Sequence, residues 1–220
     1  MSKLRLLFVK EAQASYISHL DLMRTFQRVF PRTGLEISHS RGFHPHPILS
    51  IVLPLPVGQS SQCELLDFTV EQETDGAGVP ELLNPGFPEG LRVLECYPAV
   101  RPVKELVSIR AKVEFLYDDG VPSGTVERLG GLFSRESIVI QKKTKHRTLA
   151  DVDIRPMIHE LTFTEREQAV EAMAVVQAQN PRLNPALLGE AIRKELPEWA
   201  PDFVRVRRLE LLDQKGVSFR

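Results

Sequence analysis

Leu4 to Val9 is a short apolar run with a β-branched end, and it predicts a buried strand. The period then changes. Leu20, Met23, Phe26, Gln27 and Phe30 recur at helical spacing behind Ser18, which suits an N-cap, with Asp21 three residues on as its capping-box partner. That helix ends before Pro31 or near Gly34. Ile48 to Leu53 and Leu65 to Val70 predict two hairpin strands joined through Pro54 to Gln62, and a short helix around Val79 to Leu83 precedes a strand from Leu91 to Tyr97.

The second half repeats this order. Val107 to Tyr117 predicts a strand, and Ser123 caps a helix carrying Val126, Leu129 and Phe133. Ile138 to Ile140 is a short strand before a polar loop from Lys142 to Asp153. Met157 to Phe163 predicts a strand, Leu183 to Leu196 a helix and Phe203 to Leu212 a last strand. Gln168 to Gln177 has the Ala, Glu, Gln and Met content of a helix, yet Val170, Ala172, Ala174 and Val176 alternate. The first half places a hairpin strand at this point, so strand is the reading. Both halves then run strand, helix, loop, hairpin, helix, strand, the ferredoxin-like split βαβ order. The expectation is an α+β chain of two tandem ferredoxin-like domains, residues 1–98 and 103–220, with Pro98 to Pro102 as linker.

With 220 residues, 42% hydrophobic and 26% charged, the chain has room for two small cores. Its net charge of −1 removes any global pull toward nucleic acid or membrane, so such a partner needs a local patch. Cys63 and Cys96 stand far apart, which suits a reducing compartment and argues against a disulfide framework. The N-terminus has no signal-peptide pattern and no apolar stretch is long enough to cross a bilayer, so a cytoplasmic protein without a membrane partner is expected. No Walker loop, GxGxxG, HExxH, CxxxCxxC or nucleophile-elbow pattern occurs, and no cofactor is expected.

Three stretches carry candidate chemistry. In Ser40-Arg41-Gly42-Phe43-His44-Pro45-His46-Pro47, glycine permits close backbone approach while the prolines stiffen the chain. Such a loop could hold phosphate on Arg41 and stack a base on Phe43, or present His44 and His46 to a metal. It could equally be a rigid turn with idle histidines. In Ser18-His19-Leu20-Asp21, the His and Asp could form an orienting pair for acid–base work, though a first-turn Asp is favoured by the helix dipole alone. Lys142, Lys143, Lys145 and Arg147, with Arg155 beyond them, form a local basic patch that would attract phosphates without reading sequence, unless it is simply a solvated loop. Arg205, Arg207 and Arg208 could extend the patch or pair with acids such as Glu210.

Phe8-Val9-Lys10, Ser18-His19-Leu20-Asp21-Leu22-Met23-Arg24, the Ser40 to Pro47 stretch, Pro54-Leu55-Pro56-Val57-Gly58 and Asp153-Ile154-Arg155-Pro156 together resemble the radical SAM-linked protein family. That bacterial family of unknown function occurs free or fused to the C-terminus of a radical SAM enzyme. Where the family has Gln before the glycine and Asn after the phenylalanine, this chain has Arg41 and His44, which leaves Gly42, Phe43, Pro45 and His46 as the shared core. The resemblance implies a radical SAM enzyme as partner and a tRNA or rRNA substrate for the pair. The element order is also similar to that of tandem ferredoxin-like RNA-processing proteins of CRISPR systems, an analogy of fold alone.

The expected function is an accessory RNA-binding module, with Arg41, Gly42, Phe43, His44 and His46 contacting backbone and base. Lys142, Lys143, Lys145, Arg147 and Arg155 would hold phosphates. Two alternatives stay open. One is a protein–protein adaptor for the enzyme. The other is a histidine-dependent RNA-processing enzyme using His19 and His46, with His44 and a metal as further options.

Overall fold

The computed structural model describes residues 1–43, 45–143 and 149–220. The chain divides into two compact units, Met1–Glu105 with Ser218–Arg220, and Leu106–Val217. It is a mixed α+β protein whose strands pair antiparallel and whose helices are few. Among the described residues no helix is long and apolar enough to cross a membrane.

The first unit runs β1 (Ser2–Lys10), α1 (His19–Val29), β2 (Leu49–Ile51), β3 (Ser60–Val70), α2 (Val79–Leu83) and β4 (Leu91–Pro98). Its strands lie in the order β4-β1-β3-β2, each antiparallel to its neighbour. The register sets Leu4 opposite Phe68 and Leu6 opposite Leu66, so alternate side chains of both strands fall on one face. There they join Leu22, Phe26 and Val29 of α1 in one core. Phe26 sits at its centre, with ring centroids 5.2 Å from Phe8 and 5.0 Å from Phe87.

Ser18 caps α1: its Oγ accepts the Asp21 N–H at 3.2 Å. Asp21 in turn accepts from Ser18 Oγ at 2.8 Å and from Arg24 at 3.0 Å, and these two bonds hold its carboxyl below the ordinary range. Leu20 corrects the expected apolar stripe. It is exposed, and the buried face is Leu22, Phe26 and Val29, one position round the helix. β3 also begins at Ser60, not Leu65, because β1 continues to Lys10 and pairs with Ser61. The added residues are mostly polar and carry no apolar signal.

On the opposite face of this sheet Arg5 lies directly across from Asp67. Its Nε and Nη2 donate to the two carboxylate oxygens at 2.6 and 2.9 Å, with only 1% of the arginine exposed. The Phe219 ring covers the pair, its centroid 5.0 Å from the Arg5 guanidinium and 4.9 Å from that of Arg101.

The second unit runs β5 (Leu106–Leu116), α3 (Thr125–Phe133), β6 (Val139–Lys143), β7 (Leu149–Asp153), β8 (Ile158–Glu165), β9 (Ala169–Gln177), α4 (Leu187–Glu195) and β10 (Phe203–Asp213). Its sheet has the order β10-β5-β9-β8, again antiparallel throughout, while β6 and β7 form a separate hairpin. The ambiguous Gln168 to Gln177 stretch is strand β9. Val170, Ala172, Ala174 and Val176 are fully buried opposite Phe115, Val113, Ala111 and Ile109, and pairing on both edges overrides the helix propensity of the segment.

Three expectations need correction here. Lys142 to Asp153 is not a loop. Val139 pairs with Asp153 and Lys143 with Leu149, so most of the stretch is hairpin, and its solvated polar residues conceal the pairing. Ser123 does not cap α3; the cap is Gly124, whose φ of 75° a glycine adopts freely, and Thr125 Oγ bonds to Pro122 O. The last helix begins at Leu187 rather than Leu183, since Pro185 disfavours helical geometry at Asn184.

The Arg5 pair generates a stability prediction. Arg5→Ala leaves Asp67 buried without its partner and should cost about 3–5 kcal/mol in urea unfolding. The double change Arg5→Met with Asp67→Leu should recover most of that loss, because it removes both charges and keeps the volume. A double variant no more stable than Arg5→Ala would contradict this account.

Candidate functional site

Residues 38–48 form a narrow hairpin-like loop anchored on β3. Ser38 N–H donates to Thr69 O at 2.9 Å, and Ile37 bridges Val70. The arms then pair with each other: Ile48 N–H to Ser38 O at 2.9 Å, a bridge between His39 and Pro47, and Ser40 N–H to His46 O at 2.9 Å. Ser40 Oγ accepts the His46 N–H at 3.2 Å and shares a second hydrogen bond with His46 Nδ1, 2.9 Å away. His39 Nδ1 lies 2.6 Å from Ile37 O and must carry the proton there, because a carbonyl only accepts.

This bracing places the tip. Gly42 has a φ of 136°, a value L side chains rarely adopt, and Arg41, Gly42 and Phe43 all face solvent. Phe43 is fully exposed, with its entire ring available to a partner. His46 is exposed at the base of the tip. His44 lies outside the described residues. The tip therefore offers a cation and an aromatic face on a base held by both backbone and side-chain bonds.

His19 is exposed at the first position of α1, and the Asp21 carboxylate beside it is engaged by Ser18 and Arg24. Asp21 is thus a capping residue. Among the described residues no three His, Cys, Asp or Glu side chains converge to hold a metal ion.

Lys142 is exposed on β6. Lys143 ends that strand, and its side chain, together with Lys145 and Arg147, lies outside the described residues. Arg205 lies 3.6 Å from Glu114, which also meets Lys112 at 3.2 Å, while Arg110 meets Glu210 at 2.6 Å. Arg205 therefore belongs to a balanced sheet face of alternating charges rather than to an extension of the basic hairpin.

Arg155 follows that hairpin in a turn pinned by Asp153. Asp153 Oδ1 accepts the Ile138 N–H at 2.9 Å and the Arg155 N–H at 3.0 Å, and these bonds hold its carboxyl below the ordinary range. Ile154 is buried beneath the turn. Arg155 Nη1 donates to Ile158 O at 3.0 Å, and its side chain borders a cleft of about 570 Å³ between α3 and β8. Phe133, Ser134, His159 and Phe163 also line the cleft, and the two rings stand 5.8 Å apart. Sequence reasoning placed Arg155 with the basic loop and missed the other four. Phe133 and Ser134 close α3 while His159 and Phe163 lie on β8, so only the packing of α3 on β8 assembles them.

The class defined so far is a two-unit α+β protein that presents a braced, exposed loop in one unit and a basic-rimmed cleft in the other. The chain belongs to DUF2344, a family of uncharacterized proteins conserved in bacteria, whose model matches residues 3–185. No curated protein matches the chain. Among solved structures, one from a crystal structure of a Cbf5-Nop10-Gar1 complex aligns over 93% of this chain at 12% identity with a TM-score of 0.49. The alignment takes in 47% of that chain, so the present chain spans about half its length. An unknown protein from Galdieria sulphuraria aligns over 94% of this chain and 98% of its own, at 10% identity and a TM-score of 0.28. At these scores neither alignment bears on fold or function.

The Asp153 pin makes a pH prediction. Its folded-state value is depressed, so its contribution is present above the ordinary carboxyl value of 3.8 and is lost as pH falls through the lower folded value. The Ile138 and Arg155 amide proton shifts should titrate together with a midpoint below 3.8. Asp153→Ala should abolish that titration and move both signals at neutral pH, while Asp153→Asn, which retains an acceptor, should move them less. A midpoint at or above 3.8 would sink the assignment.

Proposed function

We propose that this protein is an accessory RNA-binding module that acts with a radical SAM enzyme in tRNA or rRNA modification or processing. The observation that carries the reading is the braced loop around residues 38–48, with Arg41 exposed and Phe43 turned fully outward. Single-stranded RNA is recognised by stacking its bases on aromatic rings and by cationic contacts to its phosphates. Lys142, Lys143, Lys145, Arg147 and Arg155 supply the phosphate contacts in this reading. The radical SAM partner rests on the family resemblance of the Ser18 to Arg24 and Ser40 to Pro47 motifs.

Each unit is read as a ferredoxin-like domain. The support is the strand order, β4-β1-β3-β2 in one and β10-β5-β9-β8 in the other, each built from a split βαβ arrangement with a helix following its first and third sheet strands. In the second unit the β6–β7 hairpin is then an insertion after the first helix, where the first unit has its braced loop.

Titration of labelled tRNA at two salt concentrations tests the function. Phe43→Ala should weaken binding by about 1–3 kcal/mol if the ring stacks a base. Replacing Lys142, Lys143 and Lys145 together with Ala should weaken binding to all sequences and flatten the salt slope by about 2, at roughly 0.7 per phosphate contact. Equal binding by all three proteins, or none at low salt, would overturn the RNA reading and leave the adaptor reading in its place.

A further inference from the structure

We infer that the cleft between α3 and β8 is a mononucleotide site, with a flat base laid against Phe163, which the buried Phe133 ring backs, and its phosphate held by Arg155. The inference deepens the RNA reading and rests on it for one of two sources of the ligand, a nucleotide unstacked from RNA; the other source is a free nucleotide.

Size and chemistry agree. A volume of about 570 Å³ lies within the range of small-ligand pockets. Among the described residues no acidic side chain lines the cleft. Arg155 makes one side-chain hydrogen bond among the described residues, to Ile158 O, which orients the guanidinium and leaves most of its five N–H donors for phosphate oxygens. His159 on β8 adds an imidazole that is exposed to solvent at the cleft. Ser134 Oγ donates to Gly131 O, which leaves the hydroxyl oxygen as an acceptor for a base or ribose donor.

Gly130 supplies an independent argument. It lies inside α3 and lines the cleft, although glycine is among the poorest residues for a helix interior. Among the described residues nothing requires its bareness, since a Cβ built there would meet no heavy atom within 4 Å. A glycine that internal packing does not demand, on the wall of a cleft, fits close approach of an external body to the helix backbone.

The test is calorimetric titration of the full chain with AMP, GMP, CMP and UMP, with the unphosphorylated nucleosides as controls. At least one mononucleotide should bind, and its nucleoside roughly ten- to hundredfold more weakly, the loss expected when charge-assisted hydrogen bonds are removed. Arg155→Met should cause a similar loss. Gly130→Leu should fill the cleft and abolish binding while melting no lower than wild type, because its side chain enters open space. In a second arm, bound tRNA should block the mononucleotide, and Gly130→Leu should weaken tRNA binding, if the natural ligand is part of RNA. Mononucleotide binding with tRNA binding untouched by Gly130→Leu supports the site with a free nucleotide as its source. No mononucleotide binding at millimolar concentration, or binding unchanged in both variants, overturns the inference. If Phe43→Ala still weakens tRNA binding in that case, the RNA reading survives without the cleft.

Discussion

The register of the first unit depends on a buried ion pair. Arg5 and Asp67 stand opposite each other on the two central strands, joined by two short bonds and covered by Phe219. Taking both charges out of water is costly, and such a pair adds little net stability over an apolar one. Its value is in register. A slip of one residue between β1 and β3 would break both bonds and turn Leu4, Leu6 and Phe8 away from the core. The cost of stranding either charge opposes every alternative alignment. The same contact holds the chain's last residues, because Phe219 finds a cationic bed only where Arg5 and Arg101 converge.

The candidate loop inherits that register. Ile37 and Ser38 attach to the last two residues of β3, so the position of the loop base follows from the β1–β3 alignment. Beyond the base, the loop is held by its own polar groups. Ser40 satisfies two nitrogens of His46, and His39 is tied back to Ile37 O. Apolar burial contributes little at the tip, where Phe43 has no cover. A loop built in this way holds Arg41 and Phe43 in place without placing them in a core.

In the second unit the corresponding pin is a carboxylate. Asp153 gathers the Ile138 and Arg155 amides, closes the end of the hairpin and sends Arg155 toward β8. The charges of the adjoining sheet face neutralise one another through Lys112, Glu114, Glu171 and Arg205. A near-neutral chain thereby keeps Arg155 at a cleft that no acidic side chain lines among the described residues, so a local positive group coexists with a net charge of −1.

The sequence by itself determined the order of elements, because alternation and helical spacing are local properties of the chain. It announced α2 at Val79–Leu83, the Ser18 cap and strand β9, whose alternating Val and Ala outweighed its helical composition. It also singled out the stretch around Arg41, Phe43 and His46, whose glycine and prolines carry their backbone preferences in any context. Tertiary structure decided what depends on distant partners. The polar start of β3 is a strand because β1 lies beside it, and Val139–Lys143 and Leu149–Asp153 are strands because the two arms find each other. The Arg5–Asp67 pair spans 62 residues, and the cleft joins Phe133 to Phe163 and His159 across a hairpin. Such contacts leave no periodicity in the chain, since chain folding alone brings the groups within reach of one another.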